Sequence, residues 1–157
     1  MPRGTVRAIL PASCAEAFAL VHDYERRLAW DTLLQSARLV EGAATAHAGA
    51  ESICRGRWYL GGFALRTRYI SFRPPHSAAV RLVAPAPFFA TFAATIRHTP
   101  LTADSSVIEY HYYFAARPAA LRWLLQPVLQ RVLHWETARR LAGLRRFLAT
   151  RPMTATH

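Results

Sequence analysis

The chain has 157 residues, 52% of them hydrophobic and 18% charged, which suits one folded domain over 1–157 and excludes the low-hydrophobicity profile of disordered proteins. Its formal net charge is +11, and a field of that sign attracts nucleic acid, anionic lipid or acidic small molecules without choosing among them. All 20 basic residues are arginine, with no lysine or asparagine in the chain, so the charge reads first as compositional bias.

Cys14 and Cys54 fit no metal-ligand spacing and are too few for a disulfide framework, so two free thiols in a reducing compartment are expected. The most apolar run, Leu82 to Ile96, is broken by Pro85 and Pro87 and falls short of a membrane span of about 18 residues. Near the start, Arg3 and Arg7 precede Ala8-Ile9-Leu10 and Cys14 follows. That run is too short for an export signal and Pro11 interrupts it. A cytoplasmic location is the expectation.

In chain order, Thr5 to Leu10 alternates as a first strand. Pro11 and Ser13 then supply a helix start, with Ala15, Phe18, Ala19 and Val21 following at helical spacing. A second short helix, capped by Asp23, is expected from about Asp23 to Trp30. Strand-like runs follow at Ala37 to Glu41, Glu51 to Leu60, Ala64 to Arg73, Ala78 to Val83, Phe89 to His98 and Val107 to Ala115. They are separated by Gly61-Gly62, Pro74-Pro75, Pro85 with Pro87, and a loop from Thr99 to Ser106. Short links predict an antiparallel meander. A helix from Ala119 to Leu148 closes the chain; at ~1.5 Å per residue it would span ~45 Å, the width of the whole domain.

Period-two parity assigns the strand faces. Ile108, Tyr110, Tyr112 and Phe114 share an inward face, as do Phe92, Ala94 and Ile96. Cys54, Gly56, Trp58 and Leu60 point in while Arg55 and Arg57 point out; Leu65, Thr67 and Tyr69 point in while Arg66, Arg68, Ile70 and Phe72 point out. Large amphipathic rings beside small residues suit an apolar pocket lined by a few hydroxyls. On the closing helix, Leu129, Leu133, Thr137, Leu141, Leu144 and Leu148 form the stripe expected on the sheet. Leu121, Leu125, Val128, Val132 and Trp135 form a second stripe in its first half, suited to a loop, another subunit or a hollow. Glu136 and Arg140 pair at i,i+4 on the remaining surface.

Several motifs in this order carry a resemblance: the helix pair closing on Trp30-Asp31, Phe72-Arg73-Pro74-Pro75 at a strand end, Arg97-His98-Thr99-Pro100, and Tyr110-His111-Tyr112-Tyr113-Phe114 running into Pro118. Over essentially its whole length the chain resembles the polyketide cyclase and lipid-transport branch of the START/Bet v 1-like (SRPBCC) superfamily. The resemblance implies an α+β helix-grip fold, in which a curved antiparallel sheet of about seven strands wraps around a long C-terminal helix and two short N-terminal helices close one end. It implies hydrophobic ligands in the cavity, with lipid and quinone carriers, hormone receptors and aromatase/cyclases among the members, and no universal catalytic signature.

The residues leave three readings open. The first is a carrier or binding protein for a small hydrophobic or aromatic molecule, with Trp30, Trp58, Tyr69, Phe92, Tyr110, Tyr112 and Leu133 as its wall. The second is a polyketide cyclase or aromatase using tyrosine hydroxyls, with His98 at a cavity mouth. The third is an interaction protein whose outer stripe near Val132 and Trp135 forms a homodimer. No catalytic residue, metal site or cofactor is assigned. Asp23, Asp31 and Asp104 read as caps or turns, and His22, His47, His76, His134 and His157 as surface or loop residues. Arg55, Arg57, Arg66 and Arg68 would form a convex basic face suited to weak docking on an anionic surface, a membrane or an acyl-carrier protein. Aromatic residues suited to base stacking are not obviously interleaved with them, which disfavours nucleic acid.

Overall fold

The structure is a computed structural model that describes residues 2–40, 45–57 and 62–150. Its elements are β1 (Arg3–Leu10), α1 (Cys14–Val21), α2 (Arg27–Trp30), β2 (Leu34–Leu39), β3 (Glu51–Gly56), β4 (Ala64–Arg73), β5 (Ser77–Leu82), β6 (Phe89–Thr102) and β7 (Ser105–Ala116). A 3-10 turn (Ala119–Leu121) leads into α3 (Arg122–Thr150). The seven strands form one antiparallel sheet in the order β1-β7-β6-β5-β4-β3-β2, curled about α3. The meander of β2 to β7 follows from the short links, and the first strand returns to pair with the last.

Local chemistry explains the boundaries. The Ser13 hydroxyl accepts the Glu16 N–H at 3.2 Å and caps α1, which turns Ala17, Phe18, Leu20 and Val21 inward. The second helix is one turn only: the Asp23 carboxylate accepts the Glu25 N–H, stabilising a turn that delays α2 until Arg27. The expected loop at Thr99 to Ser106 is instead a long hairpin. Strands β6 and β7 pair out to Thr102 and Ser105, and Pro100 is accommodated at a register shift. The second strand starts earlier than its pattern suggested, at Leu34, because pairing with β3 overrides the weak local alternation.

One irregularity changes which side chains meet. The register of β4 against β5 shifts between Tyr69 and Ser71. Tyr69 and Phe72 therefore lie on the same side, and Phe72 packs against Phe18 and Tyr69 at ring-centroid distances of 5.2 and 5.4 Å. The outward assignment of Phe72 is corrected by this bulge, while Ile70 remains exposed.

The first core cluster joins Val6, Leu10, Leu20, Ile108, Leu141 and Leu144, where α3 lies along β1 and β7. A second gathers Phe18, Tyr69 and Ala78, and a third Phe92, Phe114, Tyr112 and Leu133. Leu133, Thr137, Leu141, Leu144 and Leu148 are the buried stripe of α3. Its first half exposes Trp123, Leu124, Val128, Val132 and Trp135, and Leu121 in the turn before it is exposed too. No helix among the described residues is long and apolar enough to cross a membrane.

Candidate functional site

The three clusters do not fill the space between sheet and helix. A cavity of about 330 Å³ remains, at the lower end of the range for sites that hold drug-sized molecules. The exposed residues Phe63, Pro87, Phe88 and Val132 mark its mouth, and Leu65, Val80, Phe92 and Leu133 continue an apolar wall inward.

The inner end is polar. Asp31 is fully buried and holds two arginines at once: Arg27 Nε donates to Asp31 Oδ2 at 3.0 Å, and Arg140 Nε lies 3.3 Å from the same oxygen. The Leu33 N–H donates to the other oxygen. The Arg27 guanidinium also sits over the Trp30 ring, 4.8 Å from its centroid. Burial alone would lower the pKa of Arg27, but the carboxylate beside it wins and raises it. Glu136, one turn before Arg140 on α3, also lines the cavity, and burial pushes its pKa up.

Beside this group runs a chain of hydroxyls. His22 Nδ1 lies 2.7 Å from the Tyr69 hydroxyl, which lies 3.0 Å from the Tyr24 hydroxyl. All three residues line the cavity. Burial, then Arg27, then His98 bring the pKa of His22 down to about 3, so the imidazole is neutral at physiological pH. Burial raises both phenols. A neutral imidazole joined to two protonated phenols can pass a proton in either direction.

Of the residues singled out in the sequence, Trp30, Tyr69, Phe92, Tyr110 and Leu133 lie in the cavity wall. Tyr112 does not: it points inward but is held beneath the first strand, where its hydroxyl accepts the Gln130 side-chain N–H at 3.3 Å and fits against Gly4. Trp58 lies outside the described residues. His98 is buried behind Phe18, their ring centroids 5.5 Å apart, and is not part of the wall. Its expected place at a cavity mouth is corrected, because β6 continues past it.

Four assignments change because their partners come from distant parts of the chain. His22 is buried against Tyr69 and not a surface residue. Asp31 is more than a turn residue, since it binds Arg27 and Arg140. Glu136 and Arg140 are neighbours as expected, yet their face of α3 turns to the cavity and not to solvent. An acidic residue directly after a buried tryptophan, four residues beyond an arginine, was the available signal for this cluster.

The outer arginines are exposed and already engaged. Arg66 and Arg68 share Glu51, while Arg55 and Arg57 each donate to a backbone carbonyl, of Gly62 and Thr32, at 2.6 Å. Cys14 and Cys54 are free thiols, and Cys54 lines the cavity. Among the described residues no group of three or more His, Cys, Asp and Glu is arranged to hold a metal ion.

The fold recurs in solved structures. XoxI from Bacillus cereus is 16% identical with a TM-score of 0.76, covering 96% of this chain and 97% of that one. A START superfamily protein from Mycobacterium smegmatis is 12% identical with a TM-score of 0.73, covering 93% and 98%. The Zhui aromatase/cyclase from Streptomyces sp. R1128 is 14% identical with a TM-score of 0.71, covering 93% and 95%. Likeness at these identities shows a shared fold. No curated protein matches the sequence. The family described as polyketide cyclase/dehydrase and lipid transport matches residues 1–149, nearly the whole chain, and the protein belongs to it.

Proposed function

We propose that this protein binds or carries a small hydrophobic or aromatic molecule in the cavity between its sheet and α3. The observation that carries this reading is the shape of the unfilled interior: an apolar passage from Phe63 and Phe88 inward, ending on a few fixed polar groups. Apolar walls supply affinity through burial, and the polar end orients the guest. Family membership and the shared fold support it.

The test is to extract the purified protein with organic solvent and identify what leaves it by mass spectrometry, then to titrate the emptied protein with the neutral dye N-phenyl-1-naphthylamine. A lipid, quinone or polyphenol in the extract, or saturable dye fluorescence lost in Leu65→Trp, supports the reading. An empty extract together with no dye binding overturns it.

A second reading is favoured by the Tyr24–Tyr69–His22 chain: a polyketide cyclase or aromatase acting in the same cavity. In an intramolecular aldol closure, the α-carbon loses a proton, a C–C bond forms to a ketone carbon, and its oxygen gains a proton. No oxidant is required, and a relay that takes one proton and returns another is sufficient chemistry. Cyclisation of a synthetic poly-β-ketone that slows in both Tyr24→Phe and His22→Gln supports this reading. An unchanged product distribution in both variants removes it.

A further inference from the structure

The two arginines at the inner end have more donors than the protein uses. Asp31 already receives N–H groups from Arg27 and Leu33, and although Arg140 Nε lies 3.3 Å from it, that N–H is not aimed along a hydrogen bond. The nearest Arg140 Nη2 distance to Glu136 is 3.9 Å, beyond hydrogen-bond length. Arg27 spends one further N–H on the Val21 carbonyl at 3.4 Å. The neighbouring Tyr110 also lines the cavity, and burial keeps its hydroxyl protonated, another donor.

Arg140 Nε is buried without a hydrogen-bond partner, which is costly, and both guanidiniums are only partly buried and line the cavity, where an acceptor can reach them. Fastening α2 to α3 explains the contacts to Asp31. It does not explain why both arginines also line the cavity.

We infer that the inner end takes the carboxylate of an apolar acid, with Arg27 and Arg140 receiving its two oxygens and the hydrocarbon or aromatic body lying along the passage toward Phe63 and Phe88. This rests on the reading of the cavity as a ligand site and narrows it to one chemical class. The planar fork of a guanidinium matches a carboxylate, Trp30 fixes the plane of Arg27 in advance, and the positive field of the chain as a whole favours an anion.

The test compares two probes of one shape, 2-naphthoate and methyl 2-naphthoate, by calorimetry at pH 7.5 and constant ionic strength. The acid is expected to bind the natural protein about tenfold or more tightly than the ester. The variant Arg140→Gln should reduce that ratio to near one and Arg140→Lys should keep part of it. Arg81→Gln removes the same charge from the exposed face of β5 and should leave the ratio unchanged. Equal affinities for acid and ester in the natural protein overturn the inference and leave the cavity reading standing, whereas no binding of either overturns both. A folded Arg140→Gln that keeps the full preference also overturns it. If that variant does not fold, the ratio in the natural protein and in Arg140→Lys decides.

Discussion

A methyl group on Gly143 would lie 2.7 Å from the main-chain oxygen of Trp30, so the close crossing of α2 and α3 depends on a residue with no side chain. Gly143 follows Arg140 by one turn on the same face of the helix. That approach is what brings Asp31 within reach of Arg140.

Gly143→Ala should therefore behave contrary to helix propensity. Alanine in a helix interior gains up to about 1 kcal/mol over glycine, but a backbone clash costs about 1–3 kcal/mol and here cannot be relieved by a rotamer. Urea denaturation should show a net loss of stability, and calorimetry should show weaker naphthoate binding.

Asp31→Asn removes one charge and almost no volume. Two partly buried guanidiniums would then face each other across a neutral amide, and the loss should be about 1–3 kcal/mol. Equilibrium unfolding measures it directly.

Tyr69→Phe deletes the hydroxyl that joins His22 to Tyr24. Each is left short of one buried hydrogen bond, and a stability loss of about 1–3 kcal/mol is expected. The cavity should still take up a neutral dye.

Acid should destabilise the fold earlier than its carboxylates require. Burial holds His98 down to about 4, and His22 titrates at about 3, whereas an unfolded histidine titrates at 6.5. Between these values the unfolded chain carries more protons, so stability is greatest above pH 6.5 and falls as the pH drops toward 4. Neither ring nitrogen of His98 has a protein partner among the described residues, and His98→Leu should flatten the slope of unfolding free energy against pH between 6.5 and 4.

Burial raises the pKa of the Cys54 thiol, and its place in the wall makes it a reporter of occupancy. Alkylation by N-ethylmaleimide at pH 7.5, followed by mass spectrometry, should be slow at Cys54 and slower still with naphthoate bound. The rate at Cys14 should not change.

Most strand faces could be read from the sequence because one side of each strand is buried, and period two records that choice in Ile108, Tyr110, Tyr112 and Phe114. The long helix was legible for the same reason at its own period. The bulge after Tyr69 was not, since it leaves the alternation of Tyr69, Ile70 and Ser71 unmarked while returning Phe72 to the inside. The polar end of the cavity was hidden by distance: Asp31 meets Arg140 only once the chain between them has folded, and His22 looks like an ordinary helix end until Tyr69 arrives from the fourth strand.

Within the sheet, α3 packs chiefly along β1 and β7, with Gln130 donating to the Arg3 carbonyl at 2.9 Å, while the wall opposite, around Leu65, Thr67 and Val80, borders open space. Anchorage and reception are thus assigned to different strands. Exchanges along β4 and β5 can resize the chamber without loosening the seam that fixes the rod, which lets one scaffold change its guest while keeping its architecture.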